Sequence, residues 1–168
     1  FNFDDADMTL RSSDGVHFAV HRCILRRISP FFADMLSLPQ PDQKVDNRAS
    51  IDMAEDAACL RLFLGTCYPR AFCPEPKLED VIDIRRAAAV AHKFDSPVMH
   101  LALEAALSRF AQDAPEVAYV IAWKYELKNA VRASARASLD HAPFLDETWD
   151  VSVFDEVPAA SLVQLYRY

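Results

Sequence analysis

Apolar and polar positions alternate over two short stretches near the start of the chain, and then the period changes. Met8 and Leu10 alternate with Thr9 and Arg11, and Val16, Phe18 and Val20 with His17 and Ala19, the period-two signature of two half-buried strands. Ser13-Asp14-Gly15 between them suits a tight turn, because Gly accepts positive φ without a Cβ clash and Asp can bond the backbone just ahead. Ile24, Leu25 and Ile28 then fall at helical spacing, with Arg22, Arg26 and Arg27 on the remaining faces. Ser29-Pro30 restarts the chain, the hydroxyl placed to cap and the proline in a first turn where a missing N–H costs nothing. Phe31, Phe32, Met35 and Leu36 supply the buried face of that second helix.

Residues 37–49 carry Pro39, Pro41, Asp42, Gln43, Lys44, Asp46 and Asn47 with little apolar content, which is loop chemistry. Ser50-Ile51-Asp52-Met53 alternates as a short strand completing a three-stranded sheet. Helical spacing returns over 57–68, with Leu60, Phe63, Leu64 and Cys67 along one face and Pro69 as the stop. A proline-marked loop over 70–77 leads to a helix over 78–94 with Leu78, Val81, Ile82, Arg85, Ala88, Ala89 and Ala91 as its stripe. Asp95-Ser96-Pro97 starts the next, through Leu101, Leu103, Ala105, Leu107 and Phe110. Asp113 and Glu116 are spaced as a capping box around Pro115, opening a helix with Val117, Ile121 and Tyr125. A helix over 127–139, a break at His141-Ala142-Pro143 and short helices over 144–150 and 158–168 complete an α+β chain, sheet first and helices behind.

The run over 6–36 resembles the amino-terminal half of a BTB/POZ domain, whose motif leads from an Asp opening a strand to a His-Arg or His-Lys pair opening a helix. Here those are Asp7 and His21-Arg22, followed by Cys23-Ile24-Leu25, Ser29-Pro30-Phe31-Phe32 and Met35-Leu36. The continuation Ser37-Leu38-Pro39-Gln40-Pro41 is similar to that of many BTB proteins of basidiomycete fungi. The resemblance implies a BTB/POZ-like domain over 1–107, a three-stranded sheet flanked by a helical cluster, and a helical extension over 108–168. It implies a non-catalytic module that homodimerises or hetero-associates and recruits protein partners.

The resemblance also implies an oligomer interface at Asp7, His21, Arg22, Cys23 and Arg26. In transcription-factor members the positions of Asp7 and Arg22 form a charged pair beside the dimer interface, and a partly buried salt bridge that only ties strand to helix is an equal reading. His21 is expected to cap or pack at the helix start. Phe31, Met35, Leu36 and Leu38 form a candidate partner surface. Substrate adaptors of cullin ubiquitin ligases carry a Glu just after the second helix; residues 35–42 offer none, so cullin binding is an alternative expected to be weak or absent. The few residues before the first core strand disfavour a strand-swapped dimer and leave an unswapped dimer or a monomer open. The tetramerisation domain of potassium channels has a different signature from His21-Arg22-Cys23-Ile24-Leu25.

Composition narrows the rest. The net charge of −7 argues against a grip on nucleic acid, and the cationic stripe of Lys128, Arg132 and Arg136 reads as a solvated face opposite Leu127, Ala130, Val131 and Ser134. No apolar run approaches a membrane span, and the acidic start Phe1-Asn2-Phe3-Asp4-Asp5 is unlike an export signal, so a soluble protein of the cytoplasm or nucleus is expected. Cys23, Cys59, Cys67 and Cys73 lack zinc-site spacing; the first three fall in predicted helices and read as buried free thiols of a reducing compartment. With Gly15 and Gly65 the only glycines, no P-loop or dinucleotide fingerprint can be written. His17 and His21 straddle a strand end, His92 and His100 read as satisfied imidazoles, and Asp146, Glu147, Asp150, Asp155 and Glu156 lack the pattern of a calcium loop. No catalytic residue, cofactor or metal is assigned; an enzyme with an unrecognised site is the remaining alternative.

Overall fold

The Asp14-Gly15 turn forms as its residues dictate. Gly15 takes φ 82° and donates its N–H to the Ser12 carbonyl at 2.9 Å. The Ser12 hydroxyl donates to Asp14 at 2.5 Å, and the same Asp14 oxygen accepts the Ala57 N–H at 3.0 Å, so the turn also caps a helix far along the chain. The chain is described here from a computed structural model covering residues 1–38, 44–45, 48–140 and 151–167. The expected helix over 144–150 and most of the expected loop over 37–49 lie outside these residues.

The turn joins β1 (Met8–Arg11) to β2 (His17–Val20), and β1 pairs on its other side, in parallel, with β4 (Arg48–Asp52). A two-residue strand, β3 (Lys44–Val45), extends the three expected strands to a four-stranded sheet of order β2-β1-β4-β3. Its residues were read as loop because two residues are too few to show a period. Arg11 and Asp52 are register partners on neighbouring strands, and their side chains pair at 3.6 Å. The half-buried reading needs correction at one row: Ala19, Thr9 and Ser50 are register partners and are buried like Met8, Leu10, Phe18 and Val20. Small side chains let both faces of that row be covered, whereas a period-two pattern assumes water on one side.

The helices are α1 (Arg22–Ile28), α2 (Pro30–Met35), α3 (Ala57–Cys67), α4 (Val81–Lys93), α5 (Pro97–Phe110), α6 (Pro115–Lys124), α7 (Lys128–Ala137) and α8 (Ala159–Tyr166), with short 3₁₀ turns at Ser138–Asp140 and Val151–Glu156. Two compact units are present, residues 1–77 with 89–99 and residues 78–88 with 100–168. In the first, Phe32, Phe63 and Phe94 are each fully or almost fully buried, with ring centroids 4.9–5.6 Å apart. Ser29 caps α2 as expected, accepting the Phe32 N–H at 3.2 Å, and its buried hydroxyl also donates to the Phe94 carbonyl. Asp56 caps α3 through the Cys59 N–H at 2.8 Å.

Three helical expectations are corrected. In α4 the buried positions are Ile84, Ala87, Ala88, Val90 and Ala91, while Ile82 is 57% exposed and Ala89 faces water. Arg85 shares the outer face and pairs with Glu156 at 3.0 Å, and a charged side chain that must stay wet turns Ile82 and Ala89 outward with it. In α5 Met99, Leu103, Ala106 and Leu107 are buried and Leu101 and Ala105 exposed, since positions two apart lie on opposite sides of a helix. The capping box at Asp113 and Glu116 does not form: α6 has Ala114 as its N-cap with no side-chain cap bond. Pro115 at N1 begins the helix one residue beyond the position Asp113 would need.

In the second unit Glu156 accepts hydrogen bonds from Lys124 at 3.2 Å and Arg85 at 3.0 Å. The Lys124 ammonium, and then the Arg85 guanidinium, hold its carboxyl below the ordinary glutamate range against an opposing push from burial. A carboxyl depressed on folding stabilises above its unfolded pKa and loses that contribution as pH falls through its folded one. With these side chains well exposed, Glu156→Gln is expected to cost under about 1 kcal/mol at neutral pH. Thermal melts should show the gap to the parent protein closing once pH drops below the carboxylate range; an equal gap in acid would assign the loss to another cause.

Candidate protein-interaction surface

The start of α1 is fixed from four directions. Its N-cap residue His21 is extended, at φ −105° and ψ 120°, and supplies no side-chain cap; its ring packs instead, 5.4 Å from Phe3 and 5.9 Å from Tyr68. The cap comes from Asp7, whose carboxylate accepts the Arg22 main-chain N–H at 2.8 Å. Asp7 and Arg22 therefore meet through the backbone, and among the described residues no ion pair joins their side chains. The Tyr68 hydroxyl accepts the His21 N–H at 2.8 Å and lies 3.2 Å from His21 Nδ1, while His21 Nε2 lies 3.1 Å from Asp5. Burial pushes the Tyr68 phenol up to about 12, against that hydrogen bond from His21, so it is neutral at physiological pH.

Tyr68 also anchors an aromatic group that the sequence reading missed. Its ring stacks on Phe3 at 5.5 Å and meets Phe1 edge-on at 5.2 Å, and Phe3 meets Phe72 at 6.1 Å. Asn2 bridges Ala19 in parallel, so the first residues continue the sheet along β2. The signal was present in Phe1-Asn2-Phe3, a further apolar-polar-apolar alternation.

With Leu25 fully buried and Ile24 and Ile28 partly so, α1 turns Cys23, Arg26 and Arg27 to water, and Arg22 and His21 are half-buried. Cys23 is thus exposed, a correction to its reading as a buried thiol: at about 100° per residue it lies away from the side Leu25 commits inward. Cys59 and Cys67 are partly covered. Desolvation pushes the Cys67 thiol up to about 12 despite its contact with the Ser96 hydroxyl at 3.7 Å, which leaves it an inert packing group.

On α2 and beyond, Leu36 is 5% exposed and belongs to the core, Phe31 and Met35 are half-buried, and Leu38 is 64% exposed. Phe31 stacks on Phe94 at 5.3 Å, which holds its ring inward. The surface open to a partner here is Leu38 with the outer edges of Phe31 and Met35. The cations of α7 lie on the exposed face, as expected, with Ala130 and Ser134 buried opposite. Among the described residues no group of three His, Cys, Asp or Glu side chains could hold a metal ion, and no helix is long and apolar enough to cross a membrane.

A small mixed sheet thus carries a short helix, capped by a distant carboxylate, whose exposed face bears Arg26 and Arg27. Residues 2–110 match the model of the BTB/POZ domain, and the chain belongs to that family. BTB/POZ domains are generally protein–protein interaction modules. No curated protein matched the sequence.

Proposed function

We propose that this chain is an assembly module that pairs with a second copy of itself through α1 and recruits a protein partner, with residues 108–168 as a helical extension. The observation that carries this reading is the state of α1: Asp7, Tyr68 and Leu25 fix the helix, and it turns Cys23, Arg26 and Arg27 outward without an ion pair among the described residues. A surface held rigid before contact loses little entropy on binding. The Phe31, Met35 and Leu38 surface is the candidate site for the recruited partner. The continuation over 37–41 supports a place near the basidiomycete BTB proteins. The cullin-adaptor alternative gains no support, since residues 35–42, from the last residue of α2 onward, hold no Glu.

Sedimentation equilibrium of the whole chain tests the pairing. Self-association is expected at about tens of micromolar, the scale of a modest interface. Arg26→Glu should weaken it about tenfold, with an unchanged circular dichroism spectrum, and an unchanged melt at concentrations where both chains are monomeric, because Arg26 is exposed. A parent chain that stays monomeric across that range, or association indifferent to Arg26→Glu, would overturn the proposal.

A further inference from the structure

The cations of α7 have more around them than a solvated face requires. Lys128, Arg132 and Arg136 are exposed and recur every fourth residue, and among the described residues none of the three makes an ion pair or side-chain hydrogen bond. The chain carries a net charge of −7, so these cations stand as a local positive stripe on a negative protein. Arg132 lines two hollows of the second unit. One, of about 380 Å³, is walled by Trp123, Glu126, Lys128, Val131 and Arg132; the other, of about 590 Å³, includes Arg132, Arg136 and Asp140. The first has an apolar floor: Trp123 stacks on Tyr119 at 6.1 Å, and Trp123 and Val131 pack half-buried on the cluster of Tyr119, Ala135 and Leu165. The Trp123 indole N–H has no hydrogen-bond partner among the described residues.

We propose that this groove docks an acidic segment of a partner protein, one apolar side chain seated against Trp123 and Val131 and successive carboxylates on Lys128, Arg132 and Arg136. The spacing fits. Cations four residues apart on a helix stand about 6 Å apart, and alternate side chains of an extended peptide stand about 7 Å apart on one face. Three carboxylates at alternate positions therefore meet three cations. The first hollow, at about 380 Å³, falls within the range of about 300–1,000 Å³ typical of ligand clefts, which leaves room for an anchoring side chain with its neighbouring backbone. Glu126 and Asp140 lie at the two ends of the stripe. They favour a short acidic run that stops there over a continuous polyanion such as a nucleic acid, which must run past them and along a negative protein.

Fluorescence anisotropy with the full chain tests this, independently of pairing through α1. The probe is a labelled peptide Leu-Ser-Glu-Ser-Glu-Ser-Glu, with the leucine and the three glutamates on one face, compared with Leu-Ser-Lys-Ser-Lys-Ser-Lys and with a single-stranded oligonucleotide. The acidic peptide is expected to bind at low salt and to release near about 1 M salt, where screening acts within about 3 Å. Arg132→Glu should weaken it at least about tenfold, Trp123→Ala should weaken it as well, and Arg109→Glu, outside the groove, should leave it unchanged. The chain carrying Arg132→Glu and Arg136→Glu together should take the lysine peptide instead. Circular dichroism melts establish that each variant is folded. No binding of the acidic peptide, binding indifferent to Arg132→Glu in a folded protein, or oligonucleotide binding in its place would overturn the proposal.

Discussion

Phe94→Ala is expected to destabilise the protein by about 3–5 kcal/mol, the largest loss of any substitution considered. Phe94 is fully buried, and its ring lies 4.9 Å from both Phe32 and Phe63 and stacks with Phe31 at 5.3 Å. Removing it deletes aromatic contacts with three neighbours and leaves a cavity that rings of fixed geometry close poorly. Against the roughly 5–15 kcal/mol that holds a domain together, such a loss takes a large share of the total. Urea unfolding should show a lower midpoint at an unchanged slope, and Phe94→Leu should recover part of the loss. A loss under about 1 kcal/mol would mean that the cavity collapses and the cluster is loosely packed.

Ser29→Ala is expected to cost about 2–4 kcal/mol although it removes a single oxygen. The hydroxyl accepts the Phe32 N–H to cap α2, a bond worth about 1 kcal/mol, and donates to the Phe94 carbonyl. Ser29 is fully buried, so that carbonyl has no water to turn to, and an orphaned buried acceptor costs about 1–3 kcal/mol more. The two bonds tie the elbow between α1 and α2 to the end of α4, and through it the placement of the α1 surface. Urea unfolding again reads the loss. A cost at the level of a solvent-exposed cap, about 1 kcal/mol, would show that the bond to Phe94 contributes nothing.

Much of this architecture was written locally. The Asp14-Gly15 turn, the Ser29-Pro30 cap and the Leu60, Phe63 and Leu64 face of α3 each depend on residues within a few positions of one another. The failures share a cause. Asp113 had the right spacing for a cap and lost to Pro115, whose fixed φ starts α6 one residue on. Ile82 and Leu101 were apolar and turned to water because Arg85, Met99 and Leu103 set the rotation of their helices. In alanine-rich helices almost every face is apolar enough to be buried, so the pattern alone does not select one.

The candidate surface was legible in part. Arg26 and Leu38 were placed on it from the sequence and are exposed, whereas Leu36 went to the core. Cys23 was assigned both to the surface and to the interior, and the structure turns it to water. Asp7 and Arg22 were paired as charges but meet as carboxylate and main-chain N–H, a distinction that depends on where a helix begins. The Tyr68 hydroxyl on His21 joins residues 47 positions apart, and no local pattern announces such a contact.

By itself, then, the sequence determined the strands, the turn, the main helices and the BTB/POZ family, because short-range propensity and an ordered run of residue types carry that information. The tertiary structure alone decided which face of each helix is buried, that Asp7 and Tyr68 rather than His21 secure the start of α1, and that Trp123 floors a groove beside the α7 cations. Those outcomes depend on which distant side chains compete for the same interior space and the same polar atoms, and that competition is settled only when the chain has closed on itself.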